Sequence, residues 1–242
     1  MLKKHLEFSF AFTIIFILQL LSELDLKTTH LMFGGLRYAI KPTITISLMI
    51  FYAYQTQFKG RFAKRIFAGL FFGLLGDCFL MFVHLNSNLF MLGLVAFLIG
   101  HLLYISAFYL DYKWNPAIEK SATRIALVVF GAFCLGFYFL LRPHLGGMKI
   151  PVMIYAFVIS LMAIMAVNRK GRVGSLSFKL ILAGAILFLI SDSLLAYNKF
   201  VKPFQGAGLA IMATYMLAQY LITVGAIERK LKKSNALQKI ED

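Results

Sequence analysis

Asp77 and Asp192 each sit inside a long apolar stretch. Two carboxyls in one low-dielectric site share their protons and can present an acid and a base together. Lys41 and His101 are the other ionisable residues in such stretches, with Tyr104, Tyr155, Ser191, Asn198, Tyr215 and Gln219 as neutral polar company. An ionisable group at the centre of a membrane helix costs roughly 2.5–3.5 kcal/mol on insertion scales, so each is a functional candidate. Plainer roles compete. Asp77 can be a protonated packing residue, the tyrosines interfacial anchors, Gln219 a bond between helices, and Lys41 a side chain reaching for the surface.

The spacing narrows the choice. Gly69, Gly73 and Gly76 lie on or near one helical face just before Asp77, and such a face lets a neighbouring helix approach closely. Asp77 is therefore expected to point into the protein. Gly184 precedes Asp192 by eight residues, as Gly69 precedes Asp77. Tyr104 follows Asp77 by 27 residues, and Gln219 follows Asp192 by the same number. These offsets predict a parallel repeat of two halves, with both aspartates at one depth near its axis. His101 and Tyr104 share a helical face, as do Tyr215 and Gln219. Counted along its span, His101 falls below the two aspartates. Pro42, directly after Lys41, is expected to kink or open its helix.

The elements that must carry these residues are membrane spans. Of the 242 residues 60% are hydrophobic and 14% charged, well under the roughly one quarter charged in a soluble domain. Eight apolar runs approach the ~20 residues needed to cross ~30 Å of hydrocarbon: roughly 8–24, 36–54, 64–83, 87–110, 122–141, 148–168, 178–199 and 206–227. The expected fold is an all-α polytopic bundle of about eight transmembrane helices, one integral membrane domain over 1–242. The first run follows Lys3-Lys4 but no small-residue cleavage site follows it, so it reads as a retained span. Cys78 and Cys134 lie within spans and read as apolar fillers.

The net charge of +15 reflects topology and attraction to anionic membrane lipids rather than nucleic-acid binding. With eight spans, 18 Lys and Arg fall on the side of both termini and 6 on the other. The positive-inside rule then makes both termini cytoplasmic, in a cell membrane of bacterial inner-membrane type.

At this point the residues resemble a known family. Lys41-Pro42, Gly76-Asp77 and Gly93-Leu94-x-x-Phe97-x-x-Gly100-His101-x-x-Tyr104 are similar to the YhhN-type lysoplasmalogenases. So are Pro151-Val152-x-x-Tyr155, Gly184-Ala185-x-x-Phe188-x-x-Ser191-Asp192-Ser193, Asn198-Lys199-Phe200 and Tyr215-x-x-x-Gln219. The resemblance implies a membrane hydrolase that splits the vinyl ether bond of a lysophospholipid into a fatty aldehyde and a glycerophospho-base, with no cofactor.

That reaction protonates the alkenyl β-carbon and lets water attack the resulting oxocarbenium ion, a pair of demands that glycosidases meet with two carboxyls. Asp77 and Asp192 would be acid and base, in either order. Lys41 would attract the lipid phosphate. His101, Tyr104, Tyr155, Ser191, Asn198, Tyr215 and Gln219 would line the substrate site. Three other readings are weighed. A zinc on Asp77, His101 and Asp192 would make a metal-dependent lipid hydrolase. Intramembrane aspartyl proteases use a Gly-x-Gly-Asp signature, and Leu74 stands where its first glycine belongs. A proton-coupled lipid or solute transporter also places carboxylates and a lysine at depth.

Overall fold

The computed structural model describes residues 5–23, 36–116, 118 and 120–232, with no account of the side chains of 36–39. Eight long helices follow in chain order: α1 Leu6–Glu23, α2 Leu36–Thr56, α3 Gly60–Met81, α4 Asn88–Trp114, α5 Ser121–Leu141, α6 Lys149–Val167, α7 Ser175–Ala196 and α8 Ala207–Ile227. Among the described residues the only β pairing is an isolated bridge between Val173 and Leu231. Helices are what a bilayer demands, since an unpaired backbone amide finds no water there.

Six of these helices are long and apolar enough to cross a membrane, and α2 and α3 are not among them. About eight were expected on the sequence. The shortfall falls on the two helices that carry Lys41 and, in α3, Arg61, Lys64, Arg65 and Asp77. Both nevertheless pack inside the bundle, α2 against α3 and α8, and α3 against α4. The chain is a multi-pass membrane protein. Its apolar exterior fits that setting: Val128 and Ile125 on α5 are about two-thirds exposed, as is Phe10 on α1.

Helix boundaries run past the apolar cores. The α4 helix extends to Trp114, four residues beyond the span read from apolarity, and α3 begins at Gly60 rather than 64. Pro42 does not open its helix, because α2 continues through it. Pro42 is the seventh residue of α2, so the helix forgoes the one bond its N–H would give to the Tyr38 carbonyl and continues. The marked irregularity comes elsewhere, in a π-helical turn over Tyr197–Val201. Gly206 then caps α8 at φ 77°, a left-handed conformation that a side chain would strain. Leu24, Lys27 and the terminal lysines at 3, 4, 233 and 239 lie outside the described residues.

The pairing of helices follows the expected repeat. The two largest interfaces are α3 with α4 and α7 with α8. Helix α2 meets α8, and its counterpart α6 meets α4. Small residues set these distances. A Cβ added to Gly76 would lie 2.7 Å from the Phe97 ring of α4, and one on Gly184 would lie 2.9 Å from the Ala218 carbonyl of α8. Cys78 and Cys134 are free thiols.

Two of the cations counted toward topology are interior groups. Arg169 and Arg172, just beyond α6, are almost wholly buried. Arg169 donates to Asp111 at 2.7 Å and to the Ser177 hydroxyl at 2.9 Å, while Arg172 donates to the Asn115 carbonyl at 2.9 Å. Burial pulls both guanidiniums below their usual value, with Asp111 opposing that pull on Arg169.

Candidate active site

Helix α3 turns Asp77 inward behind its glycines, leaving the residue only 2% exposed. Its carboxylate accepts a hydrogen bond from the Tyr215 hydroxyl at 2.6 Å and a longer one from Thr45 at 3.4 Å. The Lys41 ammonium stands 3.6 Å away. Thr45 lies one turn after Lys41, so α2 offers both groups from one face. That spacing was a readable signal, yet Thr45 was not among the expected site residues.

Asp192 on α7 has a matching set of partners from the other half. Tyr155 of α6 donates a short hydrogen bond to it, and the His101 imidazole of α4 lies 3.8 Å from the same oxygen. Asp77 of α3 thus draws on α2 and α8, and Asp192 of α7 on α6 and α4. These are the same relations under exchange of the two halves.

Counting residues put His101 below both aspartates, but its ring reaches Asp192. The reason is side-chain direction. Helical side chains lean toward the helix N-terminus, and α4 and α7 run in opposite senses, so the two groups lean toward each other. Both nitrogens of His101 are buried, with no hydrogen-bond partner among the described residues. The ring is held edge-on by Tyr155 and Phe188, with centroids 5.5 and 4.6 Å away. Phe188 also packs edge-on against Tyr215 at 5.4 Å, so it stands between the two carboxylate groups' partners.

Tyr104 and Gln219 do not reach the cavity as expected of substrate-binding residues. Both are fully buried. Tyr104 donates to Gln219 at 2.8 Å, and Gln219 donates to the Tyr215 hydroxyl at 3.2 Å. They form a polar chain beneath Asp77 that orients Tyr215. Gly73 makes room for it, because a Cβ there would lie 2.8 Å from the Gln219 amide.

Asp77 and Asp192 line one cavity of about 240 Å³, together with Lys41, Tyr215, Lys199 and Glu23. Ser191 and Asn198 line it too: Ser191 donates to the Ile211 carbonyl at 3.0 Å, and the Asn198 Oδ1 accepts from the Phe204 amide at 3.2 Å. Lys199 lies over the Phe90 ring at 5.0 Å. Glu23 and Lys199 were not among the expected site residues, although Lys199 belongs to the Asn198-Lys199-Phe200 motif, since each sits at the edge of an apolar run where charge is ordinary.

Two narrow apolar clefts also end at Asp192 and Tyr155. One passes between α4, α6 and α7 along Leu94, Phe97, Val152 and Phe200. The other lies along Phe133, Phe137 and Leu189 and shares Val152. Among the described residues no three His, Cys, Asp or Glu side chains come together as a set able to hold a metal.

Fold and site together define a polytopic helical membrane protein with a buried carboxylate, Asp77, and a partly buried one, Asp192, on one cavity. The family model named YhhN matches residues 36–226, and the chain belongs to that family. It is 34% identical over 172 residues to the cattle (Bos taurus) protein "Lysoplasmalogenase TMEM86A", covering 69% of this chain and 67% of the relative. It is 29% identical over 197 residues to the pig (Sus scrofa) "Lysoplasmalogenase TMEM86B", covering 81% and 77%. A Mycobacterium bovis "Lysoplasmalogenase" is 29% identical over 137 residues, 56% of this chain and 50% of the relative. No solved structure matches.

Proposed function

We propose that this chain is a membrane hydrolase that cleaves the vinyl ether bond of lysoplasmalogens, with Asp77 and Asp192 as its acid–base pair. The observation that carries the reading is the meeting of two kinds of space at Asp192. A cavity with Lys41 and Lys199 borders it, and apolar clefts lined by Leu94, Val152 and Phe137 border the same residue. A single-chain phospholipid has that division, and its vinyl ether lies at the junction of head and tail. Relatives named lysoplasmalogenase at 29–34% identity support the same substrate.

In this scheme one carboxyl delivers a proton to the alkenyl β-carbon. The neighbouring carbon becomes an oxocarbenium ion, steadied by the other carboxylate. Water adds to that carbon and loses a proton to the carboxylate. The hemiacetal then gives up its hydroxyl proton to the carboxylate of the pair while the other, now protonated, carboxyl protonates the glycerol oxygen as that C–O bond breaks, giving a fatty aldehyde and a glycerophospho-base and restoring the pair. Tyr155 and Tyr215 hold the carboxylates in place by hydrogen bonds, and Lys41 supplies a cation for the phosphate. The general acid and the general base are the two members of one pair, so either assignment satisfies the same balance.

The decisive experiment incubates the purified protein with a lysoplasmalogen and measures aldehyde and glycerophospho-base. Equal amounts of the two are expected. Movement of intact lipid across a vesicle without cleavage would replace the hydrolase with a carrier. Loss of activity on chelation would replace the carboxylate scheme with a metal-dependent one.

A further inference from the structure

At the bundle end opposite the aspartates, Asp111 near the end of α4 is fully buried between two arginines. Arg169 donates to one oxygen at 2.7 Å and Arg229 to the other at 2.6 Å. The two guanidiniums lie over the Phe62 ring, at 5.9 and 4.2 Å. One carboxylate serving two guanidiniums leaves a positive charge in excess. Arg229 borders a separate cavity of about 350 Å³, whose rim carries Lys59, Arg61, Lys113 and Trp114. No acidic side chain lines that cavity among the described residues. Asp111 stands behind it with both oxygens already engaged.

Low-dielectric walls with charge of a single sign focus the field into a cleft and concentrate counter-ions there. Arginine forks suit phosphate oxygens, and an indole suits the depth of lipid headgroups. Gly60 on this rim and Asp77 in the other site are 17 residues apart on α3, about 25 Å along the helix. The two sites are therefore separate. We propose that this cavity binds an anionic phosphate group, carried by a phospholipid headgroup or by a soluble phosphate.

The chain has one tryptophan, and it is Trp114 on this rim. Intrinsic fluorescence of the full-length protein therefore reports on the cavity directly. The protein is placed in mixed micelles of phosphatidylcholine with increasing brominated phosphatidylglycerol, and separately with brominated phosphatidylcholine alone. Saturable quenching by the anionic lipid, at a concentration at least about tenfold below that of the zwitterionic one, is expected for a lipid site. Inorganic phosphate added without brominated lipid tests the soluble source, which would shift Trp114 emission saturably. Arg61→Gln with Lys113→Gln should abolish whichever preference is seen. Both residues are exposed, and an unchanged thermal unfolding transition verifies that the variant is folded. Equal quenching by both lipids together with no response to phosphate would overturn the proposal, as would a preference that survives the double substitution.

Discussion

The Tyr104 hydroxyl donates to the Gln219 side chain at 2.8 Å across 115 residues of chain, joining positions that correspond in the two halves of the protein. Gln219 passes the contact to Tyr215, which donates to Asp77 at 2.6 Å. Asp77 thus has a supported donor as well as Lys41 and Thr45. Asp192 depends on Tyr155 and the more distant His101.

This asymmetry predicts unequal costs for removing a hydroxyl. Tyr155→Phe should lower turnover by roughly 10–100-fold, the range expected for a hydrogen bond to a charged group. Tyr215→Phe should cost less, because Lys41 and Thr45 remain. Steady-state aldehyde release from both variants measures the difference. Equal losses would show that the remaining partners of Asp77 do not compensate.

The acid–base scheme predicts that Asp77→Asn and Asp192→Asn each reduce activity by about 10²–10⁴-fold in a folded, membrane-inserted protein. The double variant should be little worse than the worse single one, since groups acting as a unit are not additive. The wild-type pH–rate profile should be bell-shaped, because one limb needs a carboxylate and the other a carboxylic acid. Near-normal turnover in both asparagine variants would eliminate the pair.

Chain recognition should be adjustable at Val152, which borders both apolar clefts at Asp192. Val152→Trp fills that junction. Preference for short over long alkenyl chains should rise by about tenfold or more in kcat/KM, as expected when a pocket loses room for a few methylenes. A series of lysoplasmalogens differing only in chain length would measure it.

Packing makes a stability prediction at Gly76. A Cβ would lie 2.7 Å from the Phe97 ring, which itself packs edge-on against Tyr215 at 5.8 Å. Gly76→Val should destabilise by about 1–3 kcal/mol through overpacking. The thermal transition of the purified protein in detergent reports it, and an unchanged midpoint would mean that Phe97 yields freely.

Orientation is predicted by the 18-to-6 distribution of Lys and Arg. A reporter fused after Asp242 should be active in its cytoplasmic form. Activity of the opposite form would invert the side from which the aspartate cavity opens.

Much of this protein was determined by its sequence alone. A bilayer forces backbone bonds to close within each segment, so eight apolar runs already specify helices, and any carboxylate inside them stands out by its cost. Asp77, Asp192 and Lys41 stood out as candidates for that reason, and matching glycine offsets anticipated the close pairing of α3 with α4 and of α7 with α8. What only the tertiary structure decided is which groups touch. His101 reaches Asp192 because side chains on antiparallel helices lean toward one another, a geometry that residue counting along a single helix omits. Tyr104 and Gln219 became a support beneath Asp77 because Gly73 leaves space for them, which depends on α8 lying against α3. The excess charge around Asp111 likewise arises when Arg169 and Arg229, 60 residues apart, converge on one carboxylate. Local pattern records the burial of a segment, whereas partnership depends on the distances between segments, and those are set by packing.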